Sequence, residues 1–145
     1  MIINNWEDCA KVYMDVNTFK PIIKEILKRH HLPYIPSIMP MGFSTNAVFK
    51  VGDVIVKIFA PKESSANTPH DYHVELNSMA LADSLVKIPK VLGNGLIKGK
   101  YDFYYIVTNY IDGTIAKDYF KALSDTHRFE FGHEIRGMLD SLKGI

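Results

Sequence analysis

The sequence has few of the features that mark disulfide-bonded, nucleic-acid-binding, membrane or secreted proteins. Its single cysteine, Cys9, cannot form a disulfide within the chain, and this scarcity predicts a reducing compartment such as the cytoplasm. Lysine and arginine total 17 against 16 aspartates and glutamates, so the basic excess of nucleic-acid-binding proteins is missing. No apolar run approaches the roughly 20 residues of a membrane span, and the acidic start around Glu7 and Asp8 differs from a secretory signal. We therefore expect a cytoplasmic protein with neither nucleic acid nor a membrane among its partners.

What the chain does have is enough apolar sequence for a core. Of its 145 residues, 47% are hydrophobic and 23% are charged. This composition fits one globular domain and argues against wholesale disorder. The same length is too short to hold both lobes of a two-lobed enzyme.

One helix is well marked near the N-terminus. The spacing of apolar residues predicts a helix over 17–31, with Thr18 as its cap, Pro21 in its first turn and Pro33 beyond its end. The segment before it is ambiguous between helix and coil. The apolar face of the predicted helix consists of Phe19, Ile22, Ile23, Ile26 and Leu27.

The middle of the chain changes to a β pattern. An apolar segment over 37–43 precedes two β-branched strands, 47–51 and 54–59, and the tight turn Gly52-Asp53 between them predicts an antiparallel hairpin. The remaining elements are a helix over 70–85, an extended segment over 88–95, a strand over 101–110 and two helices over 114–122 and 125–143. This order predicts an α+β fold in which a five-stranded, mainly antiparallel sheet carries one packed helix.

Lys57 lies in the middle of a predicted strand, between the apolar residues Val56 and Ile58. One interpretation is the solvent face of an edge strand, where lysine is common. The other is a cation that faces a cleft and meets phosphate oxygens, a role that needs a carboxylate to fix the side chain. Glu75 on the next helix is placed to supply that carboxylate, and Glu63 in the preceding loop is less suitable.

Two polar segments could accompany such a lysine. The turn Ser44-Thr45-Asn46 can offer backbone N–H groups and hydroxyls to phosphates, although the same residues are also ordinary turn formers. The strand that ends at Thr108 and Asn109 can offer its backbone groups to a purine edge. By itself the second segment is only a strand end.

Taken together, these segments resemble a known family. The motifs GFSTNAVFKV, VIVKIFA, a helix that bears Glu75, IPKVLGNG and YYIVTNYIDG lie in this order over residues 36–113. In order and spacing they resemble the N-terminal lobe of the kinase-like phosphotransferases, most closely the aminoglycoside phosphotransferase and choline kinase group. The resemblance implies an N-terminal helical extension over 1–35, a nucleotide-binding lobe over 36–113, and helices over 114–145 that begin a second lobe.

The resemblance also implies roles for individual residues. Lys57 would contact the α- and β-phosphates of ATP or GTP, and Glu75 would hold it. Thr108 would stand at the gatekeeper position beside the adenine. The phosphate-covering loop would be Ser44, Thr45 and Asn46, the two purine hydrogen bonds would come from the Asn109 carbonyl and the Ile111 N–H, and the pocket walls would include Val48, Val56 and Ile88. Asn109 stands where the family often has an acidic residue, a change that a backbone contact should tolerate.

The reaction implied is phosphoryl transfer from ATP or GTP, with Mg²⁺, to a hydroxyl group of a small molecule. The family's catalytic loop and its metal-binding aspartate are not found in this sequence. The segments His127-Arg128-Phe129 and Glu130-Phe131-Gly132 look like them superficially, but they abut inside one predicted helix, whereas the real pair is widely separated. The sequence thus looks like a phosphotransferase cut off after its first lobe, and we expect residues 1–145 alone to be inactive. The alternatives are a free-standing lobe that acts as a non-catalytic interaction or regulatory module, and an unrelated small α+β binding domain.

Two further patterns carry expectations. His70, His73 and Glu75 could be drawn as a metal site, but a solvated helix face explains them better. The last helix has an apolar stripe of Phe131, Ile135, Met138, Leu139, Leu142 and Ile145. We expect this stripe to be covered, either by the 17–31 helix or, preferably, by a second copy of the chain in a homo-oligomer.

Overall fold

The computed structural model describes residues 1–42, 44–66, 69–114 and 116–143. Within these ranges the chain forms five α-helices, five strands and one 3-10 turn. The helices are α1 (Trp6–Val12), α2 (Val16–Arg29), α3 (Pro69–Ala82), α4 (Ala116–Ala122) and α5 (Asp125–Ser141), and the 3-10 turn is Lys62–Ser64. The strands are β1 (Ile38–Pro40), β2 (Ala47–Val51), β3 (Val54–Ile58), β4 (Val91–Ile97) and β5 (Phe103–Asn109). None of the helices in the described ranges is both long and apolar enough to cross a bilayer.

The chain divides into two compact units. The first comprises Met1–Asn77 and Pro89–Tyr110 and contains the whole sheet. The second comprises Ser78–Ile88 and the described residues from Ile111 onward, including α4 and α5.

The sheet follows the predicted α+β pattern. Its strand order is β1-β2-β3-β5-β4, and every neighbouring pair is antiparallel. The β2–β3 hairpin turns at Gly52 and Asp53, as the sequence predicted. Gly52 has a φ of +59°, a left-handed conformation that favours glycine, and a Cβ there would lie 2.5 Å from the end of the Ile35 side chain. The predicted five-stranded antiparallel sheet is therefore confirmed.

Helix α2 covers one face of this sheet. Its buried residues are Phe19, Ile23, Ile26 and Leu27. The Phe19 ring is central, with its centroid 5.5 Å from that of Phe49 on β2 and 6.0 Å from that of Phe103 on β5. The strand residues buried in the same cluster are Ala47, Phe49, Val51, Val54, Val56, Ile58, Phe103, Tyr105 and Val107. This cluster is the main core of the first unit.

The start of α2 differs from the predicted cap at Thr18. The helix begins at Val16, and the side chain of Asp15 accepts a hydrogen bond from the Asn17 N–H. The Thr18 hydroxyl instead donates to Asp15 across 2.5 Å, and this bond lowers the pKa of the Asp15 carboxyl. Aspartate is the stronger acceptor for the free N–H groups of a first turn, so the helix starts one turn earlier. The ambiguous segment before it forms α1, capped by Asn5.

Strand β4 begins inside the predicted extended segment over 88–95 and continues through Gly93 and Gly95. It extends over Val91–Ile97, with an irregularity in pairing between Val91 and Gly93. A Cβ on Gly93 would lie 2.5 Å from the ring of His30, whose Nε2 is 2.9 Å from the Tyr105 hydroxyl oxygen. Glycine at this position thus lets the end of α2 approach the sheet closely.

Replacing Gly93 by alanine should destabilise the first unit. The new methyl group would displace the His30 ring and break its bond to Tyr105, and overpacking of this kind costs about 1–3 kcal/mol. Urea denaturation followed by circular dichroism measures the loss. Gly99→Ala is the matched control, because the new Cβ would lie at an ordinary contact distance of 3.7 Å from the Tyr101 carbonyl oxygen. Equal stabilities for the two variants would contradict the close approach.

Candidate functional site

The face of the sheet opposite α2 carries the candidate site. Along β3, Val54, Val56 and Ile58 are buried, whereas Ile55 and Lys57 between them are half-buried. Because side chains alternate along a strand, Ile55 and Lys57 belong to the second face. Antiparallel register then defines two rows across the strands: Val48, Lys57, Ile106 and Asn94 form one, and Lys50, Ile55, Thr108 and Val91 form the other.

Lys57 and Glu75 form the ion pair that the sequence predicted. The lysine Nζ lies 2.7 Å from Oε1 and 2.5 Å from Oε2 of Glu75. Their side chains keep 25% and 33% of their exposure, so the pair faces outward from the core rather than being buried in it. The same Nζ lies 5.0 Å from the centre of the Phe59 ring. The alternative partner, Glu63, is in the 3-10 turn and makes no ion pair among the described residues.

Helix α3 brings Glu75 to the sheet through a residue that the sequence analysis did not select. Tyr72 is the buried residue of the helix, with 4% exposure. Its ring lies 4.7 Å from the ring of Tyr104 and 5.6 Å from that of Phe59, and its hydroxyl donates to Oδ1 of Asn94 across 2.8 Å. Burial raises the pKa of the Tyr72 phenol, which keeps this hydroxyl a donor. The spacing of Tyr72 and Glu75, three residues apart, was the available signal.

Helix α3 is shorter than predicted. It ends at Ala82 rather than near 85, and Leu85 is 45% exposed beyond its end. Val74, in the middle of the helix, is 47% exposed. The buried and half-buried side is Tyr72, Glu75, Leu76, Met79 and Ala82. A polar-tipped aromatic residue and a charged residue thus share this side with aliphatic ones.

The predicted phosphate loop is divided between exposed and buried residues. Ser44 and Thr45 are exposed, and the Ser44 hydroxyl accepts from the Asn46 N–H at 3.2 Å. Asn46 is only 7% exposed, and its Oδ1 accepts from the Ala60 N–H just beyond β3. This amide therefore ties the turn to the end of the strand that carries Lys57. Phe43, which belongs to the motif, lies outside the described residues.

At the other end of the site, Thr108 and Asn109 close strand β5. Thr108 is half-buried and pairs with Ile55 on one side and Val91 on the other. The Asn109 N–H donates to the Lys90 carbonyl at 3.1 Å, but the Lys90 N–H donates to the side-chain oxygen of Asn109 at 2.6 Å. A side chain thus takes the place of a main-chain acceptor at this point of the ladder. Ile111, the second predicted purine contact, belongs to the second unit and is 47% exposed.

The predicted pocket walls need one correction. Val56 is completely buried against the α2 side of the sheet, so it cannot line a site on the Lys57 face. Ile55 and Ile106 flank the site instead. Strand alternation counted from Lys57 would have selected Ile55, and alternation counted from Thr108 would have selected Ile106. Val48 pairs directly with Lys57, as a wall residue should. Ile88 is half-buried and belongs to the second unit.

Among the residues that the structure describes, no three histidine, cysteine, aspartate or glutamate side chains come together as a metal site. His70 and His73 are exposed on α3, and the ring of His73 contacts Tyr72 and Tyr104. The site therefore offers the Lys57 cation with its carboxylate, apolar neighbours and strand-end backbone groups.

Comparison with known proteins does not identify a family: no protein-family model matches the chain, and no curated protein matches it significantly. The fold and the site together define an α+β protein in which a half-exposed lysine–glutamate pair lies on one face of an open antiparallel sheet.

Proposed function

We propose that this chain is the nucleotide-binding lobe of an ATP- or GTP-dependent small-molecule phosphotransferase of the kinase-like group, close to the aminoglycoside phosphotransferases. The observation that carries the proposal is the two-oxygen ion pair between Lys57 and Glu75 on the open face of the sheet. In the complete protein the reaction would be phosphoryl transfer to a hydroxyl of the acceptor.

Energetics favours a binding role for this pair over a structural one. A partly exposed lysine–carboxylate pair contributes only about 0–1 kcal/mol to folding. Lys57 nevertheless lies between Val48 and Ile106, at a position where an apolar side chain would pack well. A cation held there by Glu75 is preorganised to meet phosphate oxygens, which is the role of the strand lysine in phosphoryl transfer.

The strand end supports a purine contact. The Lys90 N–H donates its hydrogen bond to the side-chain oxygen of Asn109, so the main-chain carbonyl of Asn109 is not the acceptor of that bond. A carbonyl at the end of a strand can then accept from the amino group of a purine. Thr108, one residue earlier, shares the face of the sheet with Ile55 and Lys57. Adenine or guanine would thus lie toward Thr108, and the phosphates toward Lys57.

Nucleotide titration tests the proposal directly. Residues 1–145 should bind ATP or GTP, with Mg²⁺ supplied in the buffer, in calorimetric titration. Lys57→Met and Glu75→Gln should each weaken the affinity at least about tenfold, equivalent to 1.4 kcal/mol. The matched control is Lys28→Met, which removes an exposed lysine from α2 and should leave affinity unchanged. Absence of binding, or equal affinities for the Lys57 and Lys28 variants, would contradict the proposal.

A second property of the proposed protein is self-association through α5. Ile135, Met138 and Leu139 are 40%, 44% and 57% exposed, so the predicted stripe is largely uncovered in the single chain. The apolar face of α2 packs on the sheet, so it offers no free apolar face to this stripe. Ile145, the last predicted stripe residue, lies outside the described residues. We propose that a second copy covers this stripe, which also suits the alternative role of an interaction module.

Light scattering over a concentration series checks this association. The wild-type mass should rise toward that of a dimer, and Leu139→Asp should raise the dissociation constant at least about tenfold, because it places a charge in the apolar contact. His133→Asp places the same charge on the opposite side of the helix and should have no such effect. A strict monomer would contradict the proposal.

A further inference from the structure

We infer that Tyr72 is the positioning residue that holds α3, and with it Glu75, against the sheet. It acts through its hydrogen bond to Asn94 and its ring contacts with Tyr104 and Phe59. The positioning role of Tyr72 rests on the proposed function only where it predicts a change in nucleotide affinity. The effect on α3 itself can be measured without any ligand.

The packing of α3 concentrates on this one side chain. Tyr72 is the buried residue of the described helix, whereas Val74 and Leu81 are 47% and 55% exposed. Glu75 and Leu76 follow it on the same side and are half-buried. The one side chain of the described α3 that is buried therefore lies one helical turn before the glutamate.

The helix meets a single row of the sheet at two points. Val48, Lys57, Ile106 and Asn94 are paired across β2, β3, β5 and β4. Glu75 bonds to Lys57 in this row, and Tyr72 bonds to Asn94 two strands away. Two polar contacts, made by residues one helical turn apart, thus connect α3 to β3 and to β4. Because the two contacts are made at different strands, they fix the direction of α3 as well as its position.

Without the Tyr72 contacts, this part of the helix would keep the ion pair and the ring contact of His73 with Tyr104, with Leu76 half-buried on the same side. A pair whose side chains are 25% and 33% exposed stabilises too weakly to fix a helix. The geometry of the Lys57 site therefore depends on a residue that does not touch Lys57. A purely structural role would affect the whole unit equally, so the test must separate local from global effects.

Hydrogen exchange measured on the full chain separates a local effect on α3 from a global effect on the first unit. Tyr72→Ala should accelerate exchange of the α3 amides over 72–77 at least about tenfold relative to those of β5. Tyr72→Phe, which keeps the ring and loses the bond to Asn94, should give a smaller acceleration, about two- to tenfold. Val74→Ala is the control on the same helix and should leave the exchange rates within twofold. Unchanged α3 exchange in both tyrosine variants, or equal acceleration in β5, would overturn the inference.

A double-mutant cycle tests the connection to the ion pair. Tyr72→Phe should weaken ATP or GTP binding about two- to tenfold, and this effect should vanish in a Glu75→Gln background, because the positioned group is then absent. The same loss in both backgrounds would overturn the positioning role. If the wild-type chain binds no nucleotide, the proposed function fails by itself, while the exchange measurement still decides for or against Tyr72.

Discussion

Phe19→Ala is expected to lower the free energy of unfolding by about 3–5 kcal/mol, the range for removing a fully buried aromatic side chain. The Phe19 ring is completely buried and touches the rings of Tyr13, Phe49 and Phe103. It therefore joins α1, α2 and the two strands β2 and β5. Since whole domains are stable by only about 5–15 kcal/mol, this single change should bring the first unit close to unfolding at room temperature.

Urea denaturation monitored by near-ultraviolet circular dichroism measures this loss. The control is Phe129→Ala, the same chemical change at a side chain that is 70% exposed on α5. It should alter stability by no more than about 0.5 kcal/mol. Similar losses for the two variants would show that the core is not organised around Phe19.

Residues 1–145, mixed with Mg²⁺, ATP or GTP and a panel of alcohol acceptors, are expected to transfer no phosphate above the rate in buffer. Phosphoryl transfer needs an aspartate that orients the attacking hydroxyl and further oxygen ligands that hold the metal ion. The sequence has no segment that matches the family's catalytic loop, and the described residues contain no three-ligand metal cluster. Lys57 and Glu75 alone would bind phosphates without activating an acceptor.

A coupled assay for nucleotide diphosphate release checks this expectation. The Lys57→Met variant is the control for contaminating enzymes, because a contaminant's turnover is independent of that substitution. Acceptor-dependent turnover that Lys57→Met abolishes would contradict the expectation and would show that catalytic groups lie within the 145 residues.

The parts of the fold that were predictable are those with strong local patterns. The β2–β3 hairpin was predictable because β-branched strands flank the tight turn at Gly52. Helix α2 was predictable because its buried residues repeat with helical period over 14 residues. The Lys57–Glu75 pair was predictable from the order strand, loop, helix together with opposite charges. In each case the decisive interaction lies close along the chain or follows from periodicity.

The parts that were missed depend on distant neighbours. The burial of Tyr72 depends on Asn94 and Tyr104, more than 20 residues away in sequence, so the local sequence did not single it out. The continuation of β4 through Gly93 and Gly95 to Ile97 depends on its pairing with β5 and on the packing of His30 against Gly93. That Val56 faces the core follows from the alternation of side chains along β3, but only after Lys57 has been assigned to the open face. Tertiary contacts outweighed local propensity at the first two positions.

The contact between His30 and Gly93 limits how far the protein can be shortened from its N-terminus. It joins the end of α2 to the far edge of the sheet, while Phe19 joins its beginning to the centre. A polypeptide that started at Pro36 would therefore leave the apolar side of all five strands open to water, a surface prone to aggregation. The first 35 residues and the sheet therefore form one folding module, and transferring the Lys57 site to another protein requires transferring both.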